Sequence, residues 1–253
     1  MNSPLKEERR NYIEKRLIAD GSIKVSELSR FFAVSTETIR KDLASLEQKG
    51  IAKKAYGGAV ALSSAFEPSF KLKSVTHLDA KTRIANEALK HIHSGMTLIL
   101  DAGSTVFALA KALAIAGDIT VFTNGLSAAQ VLDEYGITTH LLGGRIRHNS
   151  NSIVGSWALR NLEEIRVDLA ILGTSGFRDR TGPCVENFPE AELKTAMIAS
   201  GNKVIVLGDA SKAAKQSVIE FAKWRQIDEF ITDSSIDEPT LAAIKQKTIV
   251  TVV

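Results

Sequence analysis

Beyond residue 100, four short clusters hold residue types suited to binding an anion. Asp101-Ala102-Gly103-Ser104-Thr105 follows an apolar run and opens a helical pattern. Its glycine permits close approach to the backbone, while Ser104, Thr105 and the free amides of a helix start can surround a phosphate. Thr123-Asn124-Gly125 repeats the arrangement after the next run. Gly143-Gly144-Arg145-Ile146-Arg147 follows a third and supplies two guanidinium groups able to pair with phosphate or carboxylate. Asp209-Ala210-Ser211-Lys212 adds a carboxylate and an ammonium that together can hold a sugar hydroxyl and a phosphate. Neither G-x-G-x-x-G nor the G-K-S/T of a P-loop is present. Plain accounts exist for these clusters taken singly: a capped strand-to-helix turn for the first, a surface salt-bridge group for the arginines. Glu190 and Lys194, four residues apart, share a helix face, where an exposed ion pair worth about 0.3–0.5 kcal/mol explains them.

A different chemistry occupies the first sixty residues. Ser35 is placed to cap a helix in which Ile39, Leu43 and Leu46 recur at spacings of four and three and so face inward. Glu37, Arg40 and Lys41 then project outward, with Thr36 and Thr38 on the flanks. An apolar face anchored on neighbours and an outer half rich in donors and cations is what a major-groove recognition helix requires. Arg40 can take a guanine edge in bidentate fashion or clamp phosphate, and Lys41 and the threonine hydroxyls suit phosphate. Residues 51–60 read as two short strands around a glycine-rich turn, with Lys53, Lys54 and Tyr56 placed as a wing against a DNA backbone. A three-helix protein-binding module with solvated charges is the competing reading.

The elements that must carry these groups follow from pattern. In the head, Lys6–Ala19 forms a helix with Ile13, Leu17 and Ile18 as its stripe, ended by Asp20-Gly21. A second helix spans Ser26–Phe32, capped by Ser26 and followed by the tight turn Ala33-Val34-Ser35. Residues 61–78, including Ser63-Ser64-Ala65 and Glu67-Pro68-Ser69, lack sustained periodicity and read as a linker. From residue 79 to 253, helical patterns alternate with apolar runs at Met96–Leu100, Ile119–Phe122, Thr138–Leu142, Leu169–Leu172, Lys203–Leu207, Phe230–Thr232 and Thr248–Val252. Such alternation predicts a mainly parallel α/β sheet covered by helices, whose strand carboxyl ends carry ligands.

Charge supports the division. Residues 1–60 hold 12 Lys and Arg against 8 Asp and Glu, whereas the remainder holds 20 against 21, so the excess positive charge lies in the head. With 44% hydrophobic and 24% charged residues, disordered, collagen-like and coiled-coil classes are excluded. The single cysteine, Cys184, rules out an internal disulfide framework and has no adjacent base for nucleophilic chemistry. His77, His91, His93, His140 and His148 show no metal-ligand spacing. Trp157 and Trp224 read as packing residues, and Leu109 and Leu113 as core. No signal peptide or membrane span is indicated, and a reducing cytoplasmic location fits.

Val25-Ser26-Glu27-Leu28, the stretch from Val34 to Leu43, Leu46-Glu47 and Tyr56-Gly57-Gly58-Ala59 resemble the N-terminal signature of DeoR-family bacterial transcriptional regulators. The strand-end clusters, in their order, resemble that family's C-terminal sensor domain, so the likeness covers nearly the whole chain. It implies a winged helix-turn-helix head joined to a larger α/β domain similar in fold to ribose-5-phosphate isomerase. The expected protein represses a carbohydrate catabolism operon by binding double-stranded operator DNA, under control of a phosphorylated sugar or related metabolite. DNA contacts are expected from Ser35, Thr36, Glu37, Thr38, Arg40, Lys41, Lys53, Lys54 and Tyr56. The resemblance implies effector contacts from Asp101, Gly103, Ser104, Thr105, Thr123, Asn124, Gly144, Arg145, Glu190, Asp209 and Lys212. A homodimer or homotetramer assembled through the sensor domains is expected, with no cofactor, metal or membrane partner and no catalytic residue. The alternatives are a sugar-phosphate isomerase-like enzyme with an appended head, using Asp101, Glu190 or Asp209 as base, and a transcriptional activator.

Overall fold

A computed structural model describes residues 6–20, 22–61 and 67–253. Gly21 of the expected first turn, Ser63-Ser64-Ala65 of the expected linker and the side chain of Ile18 lie outside what is described. The chain divides into two compact units, the first ending at Thr76 and the second beginning at His77.

The first unit contains α1 (Lys6–Asp20), β1 (Ser22–Lys24), α2 (Val25–Phe32), α3 (Thr36–Gln48), β2 (Ala52–Ala55) and β3 (Gly58–Ala61). Its core is Ile13 and Leu17 from α1, Val25, Leu28 and Phe32 from α2, and Ile39, Leu43 and Leu46 from α3. Their spacings of three and four residues place each set on one helix face. The strands form an antiparallel sheet in the order β1-β3-β2, so the expected hairpin gains a third strand. β1 has only three residues, too few to show an alternating pattern. Closure of that sheet requires Gly58: a Cβ there would lie 1.9 Å from the Ile23 carbonyl oxygen.

Ser26 does not cap α2. The helix starts one residue earlier, with Lys24 at the N-cap and no side-chain cap bond. Ser35 does cap α3, accepting from the Thr38 amide at 3.1 Å. Ala33 makes the intervening turn in the left-handed region (φ 52°). An ionic clamp fastens α1 to α3: Asp42, buried, accepts from the Nε atoms of Arg9 and Arg10, each at 2.7 Å. Within the stretch read as a linker, Phe70–Val75 forms a short helix, α4, capped by Ser69.

The second unit begins with α5 (Leu78–Leu89), β4 (Thr97–Leu100), α6 (Ser104–Ala112), β5 (Thr120–Thr123), α7 (Leu126–Glu134) and β6 (Thr138–Leu141). It continues with β7 (Arg145–Arg147), β8 (Ser152–Val154), α8 (Ser156–Glu163), β9 (Val167–Gly173), β10 (Cys184–Val185) and α9 (Phe188–Ser200). The last elements are β11 (Gly201–Leu207), β12 (Ile219–Glu220), β13 (Glu229–Thr232), α10 (Glu238–Lys245) and β14 (Ile249–Val252). The apolar runs read from the sequence supply all seven strands of one sheet in the order β14-β13-β11-β9-β4-β5-β6. Every pairing in it is parallel.

Side chains alternate across this sheet. Leu98, Leu100, Ile171, Ile205 and Ile231 pack with α5, α6 and α7 on one face. Ile99, Ala170, Leu172, Val206 and Phe230 pack with α8, α9 and α10 on the other. Continuous apolar strands between two helix layers are the signature of a buried parallel sheet. β7 and β8 pair antiparallel, as do β10 and β12, outside the main sheet. Trp224 is buried, but Trp157 is 66% exposed and is not the packing residue its aliphatic neighbours suggest. It falls in the first turn of α8, whose inward face is taken by Ala158 and Leu162.

Candidate nucleic-acid interface and effector site

On α3 the N-terminal half is presented outward. Ser35, Thr36, Glu37, Arg40 and Lys41 are exposed, and Thr38 is half-buried with its hydroxyl 2.9 Å from that of Ser35. Arg40 Nη1 lies 3.6 Å from Glu37 Oε2, an exposed pair that leaves the guanidinium free to exchange partners. Lys53, Lys54 and Tyr56 are exposed along the β2–β3 hairpin. The wing turn is anchored rather than loose: Val25 N donates to Gly57 O at 2.9 Å, and Lys54 N donates to Glu47 Oε1 at 3.0 Å. Cationic and hydroxyl groups on a capped helix, beside a fastened cationic hairpin, match the requirements for a helix in the major groove and a wing on the phosphates.

In the second unit the chain winds outward from β4 through β5 to β6, then returns to the other side of β4 with β9, β11, β13 and β14. The reversal falls between β4 and β9, and sheets of this kind bind ligands in the crevice at the carboxyl ends beside that point. Asp101 follows β4 there, buried, and its Oδ2 accepts from Gly173 N at 3.0 Å and from Lys194 Nζ. Lys194 Nζ also donates to Gly173 O at 2.9 Å and stands 5.1 Å above the Phe221 ring. Gly103 and Gly173 pack backbone to backbone here; a Cβ on Gly103 would come within 3.3 Å of the Gly173 Cα.

The Glu190–Lys194 surface pair does not form. The two residues are 9% and 6% exposed and turn to different partners. Glu190 accepts from Arg147 Nη1 at 3.4 Å and from Asn187 Nδ2 at 2.7 Å, fixing the start of α9. Lys194 is the site residue that sequence reasoning missed. Helical spacing pairs it with Glu190, while its true partner is 93 residues away and met only across the sheet's reversal.

Two helices open at this rim with glycine N-caps. Gly103 precedes α6 and Gly125 precedes α7, and neither first turn has a side-chain cap bond. The α6 start offers its first amides to an anion, whereas at α7 the first amide, Leu126 N, already donates to Asn151 O at 3.1 Å. Ser104 is half-buried and Thr105 buried within the first turn of α6. Thr123 is turned inward: its hydroxyl donates to Leu100 O at 2.7 Å and accepts from Gly125 N at 3.0 Å, so it shapes the turn. Asn124 is buried, donates to Ile153 O at 3.1 Å, and its Oδ1 accepts no hydrogen bond. Gly144 (φ 144°) lets the chain pass over β8, and Arg145 beyond it is exposed.

At the end of β11, Asp209 is 2% exposed. Its Oδ1 takes the Ser211 amide and hydroxyl, whereas Oδ2 accepts no hydrogen bond and lies 3.7 Å from Lys212 Nζ. Burial would raise this carboxyl, yet Lys212, the Ser211 hydroxyl, Lys81 and His77 together hold it below the ordinary carboxylate value. Thr232 Oγ1, ending β13, is a further buried atom without a partner. Buried polar atoms are nearly always satisfied. Of the four without a partner among the described residues, those of Asn124, Asp209 and Thr232 lie at strand carboxyl ends of the sheet, where a ligand can satisfy them, and Ser217 Oγ lies in the loop before β12. Cys184 is a core residue, and burial, with Glu220, pushes its thiol up to about 11. A thiol so protonated is no nucleophile.

This architecture defines a class: a DNA-reading winged helix joined to a doubly wound ligand-binding domain. Residues 9–65 match the DeoR-like helix-turn-helix domain and residues 76–234 the DeoR C-terminal sensor domain. The chain is 35% identical to a putative aga operon transcriptional repressor of Escherichia coli O157:H7, over 94% of this chain and 90% of that one. It is 30% identical to the glycerol-3-phosphate regulon repressor of Escherichia coli K12, over 90% of each. With the transcriptional repressor GlcR of Bacillus subtilis it shares 34% identity over 88% of this chain and 89% of the other. The chain belongs to the DeoR family and is a DNA-binding transcriptional regulator. Among solved structures, ribose 5-phosphate isomerase A of Methanocaldococcus jannaschii overlaps 53% of this chain and 54% of its own, at 20% identity and a TM-score of 0.39. That likeness is too slight to bear on function.

Proposed function

We propose that the protein represses a carbohydrate-utilisation operon and is switched by a phosphorylated sugar or a close relative of one. The observation that carries this reading is the carboxyl edge of one parallel sheet: the uncapped start of α6 after β4, Asn124 after β5, and Asp209 with Lys212 after β11, with buried oxygens of Asn124 and Asp209 that have no hydrogen-bond partner. A phosphate suits the amides at the start of α6, and sugar hydroxyls suit the carboxylate of Asp209 and the carbonyl oxygen of Asn124. The names of the relatives, among them repressors of the aga operon and the glycerol-3-phosphate regulon, support the same class of signal.

Residues 1–60 serve as the DNA-binding head, 61–78 as linker and 79–253 as sensor, and the protein works as a homodimer or homotetramer on paired half-sites. Catalysis is not its role. Two of the carboxylates a proton-abstracting isomerase would need are already engaged, Asp101 by Lys194 and Glu190 by Arg147 and Asn187. A reporter driven by the DNA upstream of the gene tests the sign of control. Deleting the gene raises expression if the protein represses, and lowers it if the protein activates. Calorimetry with glucose 6-phosphate, fructose 1-phosphate, glycerol 3-phosphate and their unphosphorylated counterparts tests the signal. Binding restricted to unphosphorylated sugars would sink the phosphate assignment.

A further inference from the structure

A groove of about 130 Å³ lies within the head, between α3 and the β2–β3 hairpin. Arg40, Ala44 and Glu47, spaced by four and three, line it from one side of α3, and Lys54 lines it from the hairpin. Its floor is apolar, made by the buried Val25, Leu43 and Ala59. Two bonds hold its walls apart at a fixed width: Lys54 N donates to Glu47 Oε1 at 3.0 Å, and Val25 N donates to Gly57 O at 2.9 Å. Ala44, exposed midway along the α3 wall, contributes only a methyl group and leaves the groove open.

The mouth of the groove is cationic. Arg40 stands at one end and Lys54 on the opposite wall, with Lys41 and Lys53 exposed next to them in the chain, while the Glu47 carboxylate is tied to the hairpin amide. A polyanion is drawn to such a mouth, yet the floor has no donor for a phosphate and suits a group that is itself apolar. Of the parts of a DNA strand, the deoxyribose shows mostly C–H surface, and one sugar ring is of the groove's scale. With α3 in the major groove and the hairpin on the backbone beyond it, the strand that separates the two runs over this groove. We propose that the groove seats one deoxyribose of that strand, and that the small side chain of Ala44 keeps the seat open. Such a contact releases no counterion and touches no base edge, so it adds affinity that is indifferent to sequence and to salt.

The test uses the full chain, DNA from upstream of its own gene and a random duplex of equal length. Ala44→Leu fills the groove from an exposed helix position that leucine suits, and Ala44→Ser leaves it open. By fluorescence anisotropy, Ala44→Leu is expected to weaken both duplexes at least tenfold with the slope of log affinity against log salt unchanged, and Ala44→Ser to stay within twofold of the wild type. Hydroxyl radicals attack the deoxyribose, so their footprint at saturating protein should show one sugar in each half-site that the wild type protects and Ala44→Leu exposes. Normal binding by Ala44→Leu overturns the seat. A loss confined to the operator also overturns it, because a base edge then occupies the groove, and so does a slope shallower by one or more, because the lost contact is then a phosphate. Should Ala44→Leu fail to fold, the wild-type footprint decides: a half-site with no protected sugar overturns the proposal. Operator binding by the wild type separates failure of the seat from failure of the head's DNA-binding role.

Discussion

The Asp101–Lys194 pair is a buried ion pair whose two members are each nearly enclosed. Removing one partner strands the other charge in a low-dielectric site, at a cost of about 3–5 kcal/mol. Lys194→Ala is therefore expected to lower the sensor unit's stability by about that amount in urea unfolding, with Asp101→Asn added to it recovering part of the loss. Equal stability of the single variant and the wild type would mean that the pair does not brace the sheet's reversal.

Asp209 gives a prediction in pH. Its carboxyl is held below the ordinary value, so its contribution to stability is complete above that value and is lost only as pH falls through the lower folded pKa. Asp209 stays ionised through the neutral range, and the pH dependence of effector binding should come from the ligand. A sugar phosphate gains its second charge near pH 6, at about the usual phosphate value, so affinity should rise from pH 5.5 to 7.5, as calorimetry can measure. A flat profile over that interval would remove the phosphate from the cationic rim.

Among the elements, α3 and the wing have distinct duties that substitution separates. Arg40→Ala should cost about 1–3 kcal/mol at the operator and relax specificity at one base position, if its guanidinium reads a guanine. Lys53→Ala should weaken all sequences alike and reduce the slope of log affinity against log salt by about one. The same anisotropy titrations at several salt concentrations, with operator and random DNA, discriminate the two. A uniform loss for Arg40→Ala would make it a phosphate contact. Asp42 acts at one remove: by clamping Arg9 and Arg10 it fixes α1 against α3. Asp42→Ala should lower the head's melting temperature, with operator affinity falling as the head loosens.

Much of this level was legible in the sequence. The seven runs are the seven strands of the sheet: the inner strands β4, β5, β9, β11 and β13 are largely buried between helix layers and leave an apolar record, while the edge strands β6 and β14 are more exposed. Ser35 was legible as a cap because its role is local, and the exposed α3 positions because helical period fixes them. The two- and three-residue strands β1, β7, β8, β10 and β12 leave no period to read. Partners distant in the chain were equally hidden: Arg9 and Arg10 with Asp42, and Lys194 with Asp101, depend on topology. Local spacing gave the wrong mate for Lys194 and the wrong environment for Trp157.

For the whole molecule, the claim is that one ligand couples two units of different chemistry. Such coupling is a free energy shared between sites, so the effector must change operator affinity by the same factor by which the operator changes effector affinity. The factor is set by how unequally the effector binds the two states, however tightly it binds either. Salt will weaken operator binding steeply through the head's phosphate contacts, so all comparisons belong at one ionic strength. The most direct measurement is fluorescence anisotropy of the full chain on DNA from upstream of its own gene, with competitor DNA present, titrated with sugar phosphates and their unphosphorylated counterparts. Specific binding that one phosphorylated compound changes at least tenfold, and its unphosphorylated counterpart does not, is the predicted result. Specific binding indifferent to every phosphorylated compound would contradict the account.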